Sequence, residues 1–134
     1  MKNQLMLLTL ITLTILTSCT EDIPEAVELN GTYEGTFTVE YLLGGDTFSN
    51  PVTLNFSDGS FSSSSGENRF PAGGSGTFDI NNNSVTFEDE NFWTADFDWG
   101  LILDGEYTIS ETATSIVIRS SANDAAIYTY ELIK

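Results

Sequence analysis

Between residues 31 and 41 the chain reads GTYEGTFTVEY, and apolar and polar positions alternate at almost every step. Tyr33, Phe37, Val39 and Tyr41 fall on one side with Gly35, and Thr32, Glu34, Thr36, Thr38 and Glu40 fall on the other. A period of two describes an extended strand with one buried and one wet face. The same signature returns along the chain. Val52, Leu54 and Phe56 alternate with Thr53 and Asn55, after a Pro51 placed where a strand start tolerates a missing N–H. Asp58-Gly59 is a tight hairpin turn, followed by a weak strand around Phe61. Further strands are expected over residues 76–80, 84–88, 115–119 and 127–133. Another is expected to begin at residues 99–103 and to continue past a bulge at Gly105 into Tyr107 and Ile109. Residues 81–83, 111–114 and 120–124 carry turn chemistry. Residues 65–75, rich in glycine, are expected to form a mobile loop.

Downstream of residue 19 no helical period survives. Eight short strands with one greasy face each argue an antiparallel all-β domain. Closure into an eight-stranded up-and-down barrel would hide both the apolar faces and the sheet edges. A two-sheet β-sandwich is the alternative.

The N-terminal segment has a different character. Lys2 is followed by a mostly apolar run over residues 5–16, then by the small residues Thr17 and Ser18. This is the layout of a secretory signal peptide, and the run is short for a span, which needs about 20 apolar residues. Leu16-Thr17-Ser18-Cys19 resembles the lipobox of bacterial lipoproteins, and Cys19 is the only cysteine. The resemblance implies a signal peptide at 1–18 and a lipidated Cys19; composition and the strand pattern then place an acidic linker over 19–29 and a barrel domain over 30–134. Two or more acyl chains hold a protein stably on a membrane, at about 0.8 kcal/mol per buried methylene. The acids of Thr20-Glu21-Asp22 resemble a surface-export signal. The implied location is the outer membrane, facing either the periplasm or the cell surface.

Within the domain, Gly31-Thr32-Tyr33-Glu34-Gly35 resembles the opening strand of lipocalin and avidin-type barrels, with Tyr33 where those families usually carry tryptophan. Asn30-Gly31-Thr32-Tyr33, Leu103-Asp104-Gly105-Glu106-Tyr107, Ser115-Ile116-Val117-Ile118 and Tyr128-Thr129-Tyr130-Glu131-Leu132 make residues 30–134 similar to small lipocalin-like lipoproteins. That resemblance implies a barrel whose floor is closed by an aromatic side chain. It implies no particular ligand.

Charge and residue types narrow the chemistry. The formal net charge is −16, and loss of Lys2 with a signal peptide would make it −17. Only Arg69, Arg119 and Lys134 would then remain as cations. Such a surface repels phosphates, which argues against nucleic-acid partners. The chain has no histidine, so it has neither a Ser-His-Asp triad nor an imidazole metal ligand. Paired carboxylates, Asp96 with Asp98 and Glu88 with Glu90, are the one catalytic pattern left, and solvated charges explain them better. No enzyme activity and no cofactor are expected. Asp89, Glu90, Asp96 and Asp98 offer hard oxygens, but without the spacing of a calcium loop.

Aromatic residues lie among those acids. Trp99 reads as barrel lining, while Trp93 reads as the more exposed ring, a candidate stacking platform for a glycan or rim for a small cavity. Arg69, in its glycine-rich loop, is the candidate partner for a ligand carboxylate. The ligand-binding candidates are therefore Tyr33, Arg69, Trp93 and Trp99. The leading expectation is a lipid-anchored barrel holding a small hydrophobic or amphipathic ligand in its mouth. A barrel filled by aromatics and contacting an envelope protein partner is the alternative, as is carbohydrate binding at the surface.

Overall fold

The computed structural model describes residues 26–121 and 125–134. The proposed signal segment, Cys19 and the linker up to residue 25 lie outside the described residues. Eight strands form one closed antiparallel barrel in chain order: β1 (Gly31–Tyr41), β2 (Thr47–Ser57), β3 (Ser60–Ser63), β4 (Gly74–Asn81), β5 (Ser84–Asp89), β6 (Gly105–Glu111), β7 (Ser115–Ser120) and β8 (Ala126–Ile133). β8 returns to β1 and closes the ring, with Phe37 opposite Tyr130 and Val39 opposite Tyr128. The up-and-down barrel expected from the alternation is the fold observed.

Period two explains the lumen. Inward positions carry the buried residues on every strand but β4, whose Phe78 and Ile80 are half-buried; among the buried are Tyr33, Phe37, Leu54, Phe56, Val85, Phe87, Tyr107, Ile118 and Tyr130. Their rings interlock. Phe37 lies 4.8 Å from Tyr130, Phe61 lies edge-on to Phe87 at 5.0 Å, and Phe87 meets Tyr107 at 5.7 Å. Such pairs favour tilted and edge-to-face geometry and add to the stabilisation from burial. Aromatic side chains fill a barrel of eight strands without difficulty.

Two features of the chain set its tight geometry. The two-residue hairpin after β2 needs positive φ at both positions, and Asp58 (φ 47) and Gly59 (φ 78) supply it. At the β1–β8 seam a Cβ on Gly35 would overlap the carbonyl oxygen of Glu131, so only glycine lets the strands pass.

The ends of the barrel differ. The hairpins at residues 58–59, 82–83 and 112–114 share one end with the start of β1, where Leu29 is buried and Val27 packs on the core. Residues 42–46, 64–73 and 90–104 connect strands at the opposite end.

The segment read as a mobile loop is instead fastened across that far end. The upper half of β2 has no β3 partner, and Pro51 sits there, where a missing N–H is harmless. The loop covers this free edge. Ser64 N–H donates to the Thr53 carbonyl at 2.9 Å, and the Asn50 amide donates to the carbonyls of Glu67 (3.1 Å) and Phe70 (2.7 Å). Pro71 and Ala72 are buried, and Gly73 forms a parallel bridge with Ile102.

Residues 99–103, expected as strand, form a 3₁₀ turn, Trp99–Leu101, and a buried apolar plug of Leu101, Ile102 and Leu103. The Asp98 side chain accepts the Gly100 N–H at 2.9 Å, which caps the turn and prevents an extended run. The lumen is thus packed with rings, and both loops close its far end.

Candidate functional site

Large exposed apolar side chains are not spread evenly. Leu42, Leu43, Phe48, Phe92 and Trp99 all lie at the loop end, and among the described residues only Ile133 is at the other. Phe92 is 96 % exposed and Trp99 is 56 % exposed.

The segment carrying those two rings is built around Asp89, at the end of β5. One of its oxygens accepts from Asn91 N–H (2.9 Å) and from the Trp93 indole N–H (2.6 Å). The other accepts from Ser75 N–H (3.1 Å) and the Asn91 amide (3.0 Å). Four donors converge on one carboxylate, and ionised acceptors make the stronger hydrogen bonds. Asp89 N–H in turn donates to Asp104 at 2.9 Å, joining the two ends of the 90–104 connection. Replacing Asp89 with alanine leaves the half-buried indole N–H of Trp93 and the Ser75 N–H without partners. We expect a loss of about 2 kcal/mol in urea unfolding and a shifted Trp93 indole resonance. An unmoved resonance would refute this role.

Trp93 packs edge-on to Phe97 at 5.8 Å, and the Arg69 guanidinium lies 4.7 Å from the Phe97 ring. Arg69 also reaches Asp96 at 3.4 Å. The Asp96 carboxyl is held below the usual carboxylate range, chiefly by a hydrogen bond from Thr94, with Arg69 adding to it. Asp98 accepts from Tyr128 (2.8 Å) and Tyr41 (3.1 Å), so it ties the 90–104 segment to β8 and β1.

An open cleft of about 310 Å³ results at the loop end. Its walls are Phe92, Trp93, Trp99 and Ile102, with the carboxylates of Asp89 and Asp104 beside them. A second, larger cleft of about 480 Å³ lies at the opposite end between Tyr33, Glu28 and Lys134, and residues 111–116.

The candidate residues therefore divide. Trp93 and Trp99 share the loop-end cleft, and Arg69 stands beside it, engaged with Asp96 and Phe97. Tyr33 is at the other end, buried against Phe56 at 5.6 Å, with the Lys134 ammonium 5.6 Å from its ring. The two tryptophans exchange the roles expected of them. Trp99 is exposed because the capped turn lifts it out of any strand, and its indole N–H is held by the Thr94 carbonyl at 3.0 Å. Trp93 is half buried because Asp89 draws its indole inward.

The paired carboxylates Asp96 and Asp98 do not share a strand face, because the chain there is a loop. Among the described residues no three acidic or thiol groups gather to hold a metal ion. Phe92, Asn91 and Asp104 join the cleft without having been singled out. The legible signal for them was the Asp89-Glu90-Asn91 turn, in which an aspartate accepts the N–H two residues on.

No protein-family model matches the chain, and neither a curated protein nor a solved structure matches it.

Proposed function

We propose that this protein is an envelope lipoprotein, anchored through Cys19, whose barrel is a rigid pedestal for a surface binding cleft. The observation that carries this reading is positional. Among the described residues, the cleft and five of the six large exposed apolar side chains lie at the end of the barrel opposite the entry of the N-terminal segment. A tether at that entry would hold the cleft away from the membrane. The ring-packed lumen supports a ligand held outside the barrel rather than one entering its interior. Binding rather than catalysis fits side chains whose carboxylates are engaged in holding loops.

Two measurements test this. Cys19→Ala is expected to move the protein from the membrane fraction to the soluble fraction, since a diacyl anchor supplies the affinity. Retention in the membrane would refute the anchor. Ligand titration should perturb the Trp99 indole resonance and leave interior residues such as Ile118 unmoved. The reverse pattern would restore an internal site.

A second reading is favoured by Leu43, 83 % exposed, on the same end as Phe92. A protein partner could cover this apolar rim, and crosslinking through position 43 in intact envelopes would capture it.

A further inference from the structure

The loop-end cleft has an uneven supply of hydrogen-bonding groups. Its donors are already engaged: Trp93 N–H with Asp89, Trp99 N–H with the Thr94 carbonyl, and the Asn91 amide with Asp89 and Ser75. Asp89 already accepts four hydrogen bonds, so little directional capacity remains on it. Asp104 accepts only the Asp89 N–H among the described residues and keeps acceptor capacity; what the cleft otherwise offers is non-directional. It has the exposed faces of Trp99 and Phe92 and the negative charge of Asp89 and Asp104, and no cation lines it. A sugar needs donors and acceptors aimed at its hydroxyls. An anionic lipid needs a cation, and Arg69 is held by Asp96 and Phe97. A ligand that needs only aromatic faces and negative field is an organic cation. The chain's net charge of −16 concentrates such ligands near the surface.

Resting on the reading of this cleft as the binding site, we propose that it takes a quaternary ammonium group, stacked against Trp99 and Phe92 and balanced by the carboxylates of Asp89 and Asp104. Methylated nitrogen suits it because a methylated cation spreads its charge over C–H groups that pack on rings and asks for no hydrogen-bond acceptor. A volume of about 310 Å³ leaves room for such a headgroup and part of the chain that bears it.

The test uses the full chain in a mild nonionic detergent, with the two indole N–H resonances as reporters. The probes are tetramethylammonium, choline, and the carbon isostere of choline, in which a quaternary carbon replaces the nitrogen. Tetramethylammonium and choline are expected to shift both indole signals saturably, and added salt should weaken them. The neutral isostere should bind at least about tenfold more weakly. Trp99→Ala is expected to weaken choline about tenfold. Asp104→Asn keeps an oxygen for the Asp89 N–H while removing charge, and should weaken choline about three- to fivefold. Phe92→Ala, at a side chain almost wholly in solvent, is a further variant that leaves the fold intact.

Glycerophosphocholine separates the sources of the ligand. Binding equal to choline assigns a lipid headgroup, and weaker binding assigns a free ammonium compound. Equal binding of the neutral isostere, or saturable binding of a glucose oligomer at the same indoles, would overturn the cation inference and leave the cleft as the site. Indole signals unmoved by every probe would overturn both.

Discussion

Gly35→Ala is expected to open the barrel at the seam between β1 and β8. A Cβ at this position would occupy the space of the Glu131 carbonyl oxygen and crowd the Leu132 Cα at 2.9 Å. Both neighbours are backbone, so no rotamer change relieves the overlap. The strands must separate, and the pairings from Glu34–Ile133 to Tyr41–Ala126 depend on their staying together. Phe37, fully buried and packed at a tilt against Tyr130, sits two residues away and would lose its packing as the seam widens. Overpacking of this kind costs about 3 kcal/mol, and a domain of this size has only about 5–15 kcal/mol to lose. The measurement is urea unfolding followed by circular dichroism. Thr36→Ala, an exposed neighbour, should stay within about 0.5 kcal/mol of the parent. A Gly35→Ala protein with an unchanged midpoint would show that the seam is not held so closely.

Alkaline pH should unfold the protein steeply from about pH 10 upward. Four of the five tyrosines resist ionisation in the fold. Burial pushes the Tyr41 hydroxyl up to about 12, helped by the charge of Asp98 and by their hydrogen bond. Burial likewise raises Tyr128, with its hydrogen bond to Asp98 adding to the effect. It also raises Tyr107, where the nearby charge of Asp104 adds. Complete burial raises Tyr130 well above the ordinary value, and its hydroxyl has no hydrogen-bond partner among the described residues.

A raised folded-state value means that the unfolded chain releases its proton first. The stabilisation is therefore complete below the ordinary value of 10.0 and is lost as the pH rises through the folded-state values. Each of Tyr107 and Tyr130 steepens the decline by up to about 1.4 kcal/mol per pH unit. Tyr41 adds less, because it is only half-buried and solvent at the barrel mouth screens it. Phenolate absorbance and loss of β-sheet circular dichroism should rise together as one transition. Tyr130→Phe removes a hydroxyl without a partner and should move that transition to higher pH. Stepwise ionisation of these tyrosines near pH 10 in a folded barrel would contradict the account.

The strands were legible because alternation is a local property. Tyr33, Phe37 and Val39 on β1, Val52, Leu54 and Phe56 on β2, and Val85 and Phe87 on β5 all point inward as the period demands. The loop end was not legible in the same way. Residues 99–103 have a strand-like composition, yet Asp98 caps a turn there and is held by Tyr41 and Tyr128, which lie 57 and 30 residues away in sequence. The 65–75 segment has the composition of a free loop, and it is fastened by Asn50 and by the unpaired edge of β2. Neither partner is visible within a local window.

By itself, the sequence of this protein determined an all-β chain of eight strands, the face that most of them bury and a strongly acidic surface, while closure into a barrel rather than a sandwich came from the tertiary structure. Hydrophobic period and charge act residue by residue, and each strand's inward side follows from its own neighbours in the chain. Only the tertiary structure decided that aromatic rings would fill the lumen, that Trp99 rather than Trp93 would face solvent, and that Asp89 would hold a loop. Those outcomes depend on which distant groups reach one carboxylate or one free strand edge first, and the barrel's closure sets that.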